Sequence, residues 1–314
     1  MLTFVLKRVG AGILLLFGVS TVTFALIYAG GADIAAQLVG DDGDRAAVAA
    51  KAAELGLDQP LVVQYWRWLT HAVTGDLGES WYTSQPVLPT LFDRLAVTLS
   101  IVVVALVVVT LASVTIGIVA AVRRGWVDRM LQTTSVIGLA IPNFWAALIL
   151  VMTFAIALGW FPATGYVPFG ESPNLWAASV VLPVVALCLA PISATAQQVR
   201  SAVMGVLEQD YVRTLRARGL SRRRVLWGHV LRNAAPPGLT VLSLQFIGMV
   251  GGAVIIERIF AINGMGSLAV DATLKSDIPV VVGVMVLMKV VVVLVNLVID
   301  IVNGLINPKA AVSA

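Results

Sequence analysis

EQDYVRTLRARGLSRRRVLWGHVLRNAAPP, residues 208–237, is the one long, strongly basic segment in a chain that is otherwise mostly apolar. It carries Arg213, Arg216, Arg218, Arg222, Arg223, Arg224 and Arg232 with His229, against only Glu208 and Asp210. Val203, Leu207, Tyr211 and Leu215 fall four apart and draw one apolar stripe down a helix. Gly219 supplies a left-handed stop, and Ser221 is placed to cap a second helix. That helix is expected to end at Pro236-Pro237, whose rings cannot continue it. The segment therefore reads as two short helices around a tight turn. Arg222, Arg223 and Arg224 open the second helix, where the positive end of the macrodipole prefers acids. A helix tuned only for its own stability would not put them there. A docking surface for an acidic groove would; the plainer alternative is a basic face that sets membrane orientation and touches anionic lipid.

Outward from this segment, composition sets the class. The 314 residues are 59% hydrophobic and only 12% charged, about half the charge of a soluble domain. Mean hydropathy is +0.94. Apolar runs of this length imply bilayer spans, so the chain is expected to be an all-α integral membrane protein. The one cysteine, Cys188, lies inside a hydrophobic run, which leaves no disulfide framework and no thiolate metal site. His71 and His229 fall on opposite sides of the membrane and are not expected to share a metal.

Six spans are expected. Lys7 and Arg8 precede an apolar run over 9–29, longer than the core of a cleaved signal peptide, although the small residues Ala29, Gly30 and Gly31 keep cleavage open. Residues 30–94 hold most of the acids. Within them, 46–55 reads as an Ala-rich helix stopped by Gly56, and Asp58 with Pro60 starts another over 61–73. Its Tyr65, Trp66 and Trp68 suggest an interfacial belt. Further spans are expected over 95–122, 130–158 (with Pro142 inside), 177–195 (broken by Pro183 and Pro191), 238–256 and 278–303, with a loop over 257–277. Residues 1–94 thus form a first span plus an external helical segment. Residues 95–314 form a five-helix core with the basic hairpin at about 200–237.

Charge sets the orientation. With the N-terminus in the cytoplasm, the inside segments hold Lys7, Arg8, Arg123, Arg124, Arg129, Arg200, the hairpin arginines and Lys309. The outside segments hold Arg45, Lys51, Arg67, Arg94, Arg258 and Lys275, diluted among acids. This is the positive-inside bias, and it puts both termini and the hairpin in the cytoplasm.

The sequence offers no chemistry of its own. It has no phosphate loop, no G-x-S-x-G elbow and no H-E-x-x-H helix. Glu257 and Asp300 sit near span ends, where hydration makes a carboxylate inexpensive. The polar and adaptable groups at membrane depth are Asn143, Gln197, Gln245, Met249, Lys289 and Asn296, the candidates for a translocation path. Lys289 is the one basic residue deep in an expected span.

At the hairpin the sequence resembles the cytoplasmic EAA loop of ABC-importer permeases, in the form found in the dipeptide/oligopeptide/nickel group. Residues 55–80 (LGLDQPLVVQYWRWLTHAVTGDLGES), 160–168 (WFPATGYVP), 251–281 (GGAVIIERIFAINGMGSLAVDATLKSDIPVV) and the ending NPKA at 307–310 are similar to the B-type permease of that group. The resemblance implies a type I importer permease fold of six transmembrane helices. It implies a non-catalytic channel subunit for peptides, with nickel chelates, haem or another small solute as alternatives. The implied partners are a second homologous permease, two ATP-binding subunits (or one heterodimer), an extracytoplasmic solute-binding protein and membrane lipid. ATP and magnesium would sit on those partners, with no cofactor or metal in this chain. By position, Asp210, Tyr211, Arg213, Thr214, Arg216, Ala217, Arg218, Gly219 and Leu220 become the ATPase-coupling segment. Leu215 stands where the group usually has alanine, and Ala235-Pro236-Pro237 replaces a more apolar ending.

Two other classes compete. A stand-alone ion- or proton-coupled transporter would want several carboxylates at mid-depth, which the sequence lacks. A membrane-anchored nucleic-acid reader fits the helix–turn–helix outline, but the hairpin offers little beyond Gln209 and Asn233 to read base edges.

Overall fold

A computed structural model describes residues 2–29, 34–40 and 44–306. Gly30, Gly31, Lys309 and the ending at 307–310 lie outside the described residues. Among the described residues all regular structure is helical, and the one strand-like pairing is an isolated antiparallel bridge between Glu79 and Pro86. The chain divides into two compact units. Of the described residues, one unit comprises 6–96 and 267–293; the other is built on 97–266 and includes 2–5 and 294–306.

The 6–96 unit takes most of α1 (Leu2–Ala29), then α2 (Ile34–Val39), α3 (Arg45–Leu55) and α4 (Leu61–Val73). The start of α3 is capped by Asp44, whose carboxylate accepts from the Ala47 amide at 2.7 Å. Its end is the left-handed Gly56 (φ +68), as the sequence expects. Phe24, Ile34, Tyr65, Ile278 and Val282 make a shared apolar centre. Tyr65 does not belong to an interfacial belt: it is buried, and its hydroxyl meets Ser20 Oγ at 2.8 Å and accepts from Thr21 Oγ1 at 2.9 Å. Trp66 stays exposed. Asp277 is buried too, held by the Ser80 hydroxyl at 2.5 Å and the Trp81 amide at 3.2 Å.

Among the described residues, four helices are long and apolar enough to cross a bilayer: α5 (Val87–Arg123), α8 (Pro173–Leu207), the run Arg222–Ile259 that includes α11 (Leu231–Ile259), and most of α13 (Ile278–Ile306). Between α5 and α8, α6 (Gly125–Ala140) and α7 (Asn143–Leu150, prolonged as a wider π turn over Val151–Ala157) form a pair bent by 91°, a fifth crossing if counted as one. Pro142 does more than interrupt this span. It forces Ile141 into extended backbone (φ −86, ψ 116), and the helix turns there.

In α8 and α11 proline does not end the helix. Pro183 and Pro191 are buried inside a continuous α8, and Pro236 and Pro237 lie inside α11, where the sequence suggests an end. A mid-helix proline costs about 3 kcal/mol. Burial of Val184, Ala186 and Leu187 around the first pair, and of Ala234 and Gly238 around the second, offsets it.

The expected loop at 257–277 contains a helix, α12 (Met265–Leu274). Glu257 is not hydrated at a span end; it is 1% exposed. Thr98 donates its hydroxyl to Glu257 Oε1 at 2.5 Å and accepts the Met265 amide at 2.8 Å, so the carboxylate anchors the turn before α12. Gly264 and Gly266 pack directly on it.

Candidate functional site

The basic hairpin is built on a small sealed core. At Glu208 and Gln209 the backbone leaves the helix (Gln209 φ −70, ψ 148), so the apolar stripe is carried by two helices: the end of α8 and α9 (Asp210–Ala217). The stripe nonetheless packs as one surface. Val203, Val206, Val212, Val225, Val230 and Ala234 are buried together with Ala121 of α5, and Leu207, Tyr211, Leu215 and Leu220 close over them. Val212, fully buried at 0%, is the centre that sequence reading missed.

The turn follows from backbone hydrogen bonding. Gly219 (φ +83) donates to the Arg216 carbonyl at 3.0 Å, and Leu220 donates to the Leu215 carbonyl at 3.3 Å. This pairing is a Schellman ending, whose usual apolar contact joins the residues at Leu215 and Leu220. Leu215, unusual at its position, therefore has a packing role. Ser221 accepts from the Arg224 amide at 3.4 Å and starts α10 (Arg222–Val225). A π turn over Leu226–Val230 leads into α11. Asn233 donates to the Tyr211 hydroxyl at 3.1 Å, tying α9 to α11.

This construction sorts the nine coupling candidates. Asp210, Arg213, Thr214, Arg216, Ala217, Arg218 and Gly219 are exposed. Tyr211 and Leu220 are half-buried and face the hairpin's own core. The first seven form an outward shell with three guanidinium groups; the other two hold it. Only Arg213 meets an acid on that helix, Asp210 at 3.3 Å, and both are exposed.

Two ion pairs fix the neighbouring chain. Asp128 of α6 receives a bidentate bond from Arg200 of α8, through Nε to Oδ1 and through the second nitrogen to Oδ2 at 2.6 Å. Both side chains are largely shielded, at 15% and 19% exposed. Arg124, in the left-handed region (φ +50), reaches Glu208 at 3.5 Å in open solvent. Asp128→Asn is expected to lower the chain's stability in detergent by about 1–3 kcal/mol, since it leaves Arg200 without its charged acceptor. Arg124→Ala is expected to cost less than about 1 kcal/mol. Thermal unfolding of the two variants side by side checks the ranking.

The candidate path residues have individually different surroundings. Asn143 opens α7 opposite Gly252 of α11; a Cβ on that glycine would lie 3.5 Å from the Asn143 amide nitrogen. Asn296 accepts a hydrogen bond from Ser243 and so joins α13 to α11. Met249 is 2% exposed, buried in this chain's own packing. Gln197, Gln245 and Lys289 are half-buried. Lys289 has no ion-pair partner among the described residues. Around Gln245, Gly248 and Gly251 present an open face with nothing within 4 Å of a built Cβ. No cluster of three or more His, Cys, Asp or Glu is placed to hold a metal among the described residues.

Comparison with known proteins places this architecture. Residues 113–312 match the model of the binding-protein-dependent transport system inner membrane component, and residues 1–102 match the model of the N-terminal part of the same membrane component. A Brucella abortus protein provisionally named as a peptide transport system permease is 39% identical over 310 residues, covering 98% of this chain and 99% of its own. The glutathione transport system permease protein GsiC of Salmonella typhimurium is 36% identical, with 98% of each chain covered. Among solved structures, a chain of the MetNI methionine ABC transporter in inward-facing conformations superposes with a TM-score of 0.58 at 16% identity. It covers 72% of this chain and 100% of its own, a likeness of fold.

Proposed function

The chain belongs to the family of binding-protein-dependent transport system inner membrane components, the permease subunits of ABC importers, and we propose that it is a channel-forming subunit of a peptide importer whose basic hairpin receives the movement of a separate ATPase. Supporting the substrate class are the relatives named for peptide and glutathione transport, aligned over nearly the whole chain. The chain itself is non-catalytic. Two ATP-binding subunits carry ATP and magnesium, a second permease completes the channel, and an extracytoplasmic protein delivers the solute. Six spans, with α1 as the first and both termini in the cytoplasm, put the hairpin on the ATPase side.

One observation carries the coupling role: an exposed shell of Arg213, Arg216 and Arg218 stands on a sealed apolar core shared with α5, α8 and α11. A charged surface meant only for water does not need such a rigid mount. Closure of the ATPases would press on α9 and rock the spans between outward-open and inward-open states.

The test is a pull-down in mild detergent. Wild type should bring down both the ATPase and the second permease. Gly219→Pro, which removes the amide donor to Arg216 and cannot adopt φ +83, should lose the ATPase and keep the permease. So should Arg216→Glu/Arg218→Glu. Wild-type chain that purifies alone and moves solute without ATP would overturn the reading.

A further inference from the structure

A groove of about 630 Å³ runs between α5, α6 and α8, apart from the hairpin core. Thr115, Val119, Trp126, Met130, Ile137 and Leu189 are among its walls, which are overwhelmingly apolar. From Trp126 to Ile141 it follows α6 for about 22 Å, more than the hydrocarbon depth of one leaflet, about 15 Å.

One end of the groove is charged. Arg123 lies one turn beyond Val119 and Ala120 on the same face of α5, and it is exposed. Arg124 follows it, and Arg129 is exposed on α6. The acids here are already engaged: Asp128 by Arg200, and Glu208 at 3.5 Å from Arg124. Neither Arg123 nor Arg129 has an ion-pair partner among the described residues. Trp126, 71% exposed, stands at the same end, where an indole marks the water–hydrocarbon boundary.

We propose that the groove seats an acyl chain of an anionic phospholipid, with the headgroup phosphate at Arg123 and its arginine neighbours. A helix of another protein would have to pair an apolar face with acids at its cytoplasmic end, whereas a single anionic phospholipid has both an acyl chain for the walls and a phosphate for the arginines. Assignment to the cytoplasmic leaflet rests on the orientation proposed above; the binding itself does not.

The test uses the importer complex, stripped of lipid in detergent and incubated with phosphatidylglycerol or phosphatidylcholine of equal chain length. Native mass spectrometry counts the lipid retained. Phosphatidylglycerol should be held about fivefold better, the worth of one arginine at an anionic surface. Arg123→Gln should erase that preference, and Thr134→Phe, which fills the groove from its exposed wall, should remove both lipids. Equal retention of the two lipids by the native complex, or unchanged retention in Thr134→Phe, overturns the proposal. Should Thr134→Phe not fold, a photo-crosslinker on Ile137→Cys decides: an adduct to lipid supports the site, and an adduct to the second permease overturns it. Lipid is counted without reference to ATPase binding, so this result and the hairpin pull-down fail separately.

Discussion

The Gly266→Ala chain is expected not to accumulate as a folded membrane protein. A Cβ at this position would lie 2.5 Å from the Cα of Val254, a backbone atom of α11 that cannot swing aside, and 3.0 Å from the buried Glu257 carboxylate. Overpacking of a filled site costs about 1–3 kcal/mol when side chains can adjust. Here the obstacle is main chain, so the cost lies at or above the top of that range. Separating α11 from the following turn would also strip Glu257 of the geometry that buries it, and an uncompensated buried carboxylate costs several kcal/mol more. Fluorescence-detected size exclusion should show loss of the monodisperse peak. Gly248→Ala is the control: nothing lies within 4 Å of its Cβ, and alanine favours a helix by about 1 kcal/mol over glycine. A normal peak from Gly266→Ala would mean that α11 and the turn are not packed as described.

Val212→Asp is expected to abolish ATPase capture and transport while leaving the spans folded. Val212 has no exposed surface and sits at the centre of the hairpin core. An aspartate there has no cation inside the core to pair with, and burying it unpaired costs several kcal/mol. The core is local, so the hairpin opens and α9 loses its mount. The Arg213→Ala chain provides the contrast. It removes an exposed charge without touching the core, so thermal stability should change by less than about 0.5 kcal/mol. Capture of the ATPase and the melting curve, measured together, separate loss of the mount from loss of a contact. Full coupling in Val212→Asp would show that the core does not support the hairpin.

What was legible in the sequence were features written in local chemistry. Gly56, Gly219 and Ser221 act through their own backbone or hydroxyl, and each does in the structure what its type suggests. The bounds of α4 follow from Pro60 and the glycines after Val73. What was not legible depended on distant partners. The break at Glu208-Gln209 has no glycine or proline to announce it, because the apolar stripe continues on both sides. Pro236-Pro237 looks terminal until α11 is packed on α8, where burial outweighs the missing hydrogen bonds. Glu257 looks hydrated until Thr98 and the glycine turn close around it. Within the hairpin, residue type singled out the arginines but could not separate the exposed shell from Tyr211 and Leu220, since that requires knowing which face the core occupies.

The uninterrupted prolines have a mechanical consequence. Helix α8 is 35 residues long and the run from α10 through α11 is 38, rods of about 52 and 57 Å. A hinge at Pro236-Pro237 would have let a push on α9 dissipate as bending just beyond the hairpin. Helical structure instead runs on through those prolines, and both helices are rooted in the same apolar core, so give near the hairpin falls to the π turn over Leu226–Val230. On the coupling role proposed above, displacement applied at α9 would then be shared by two long helices at once.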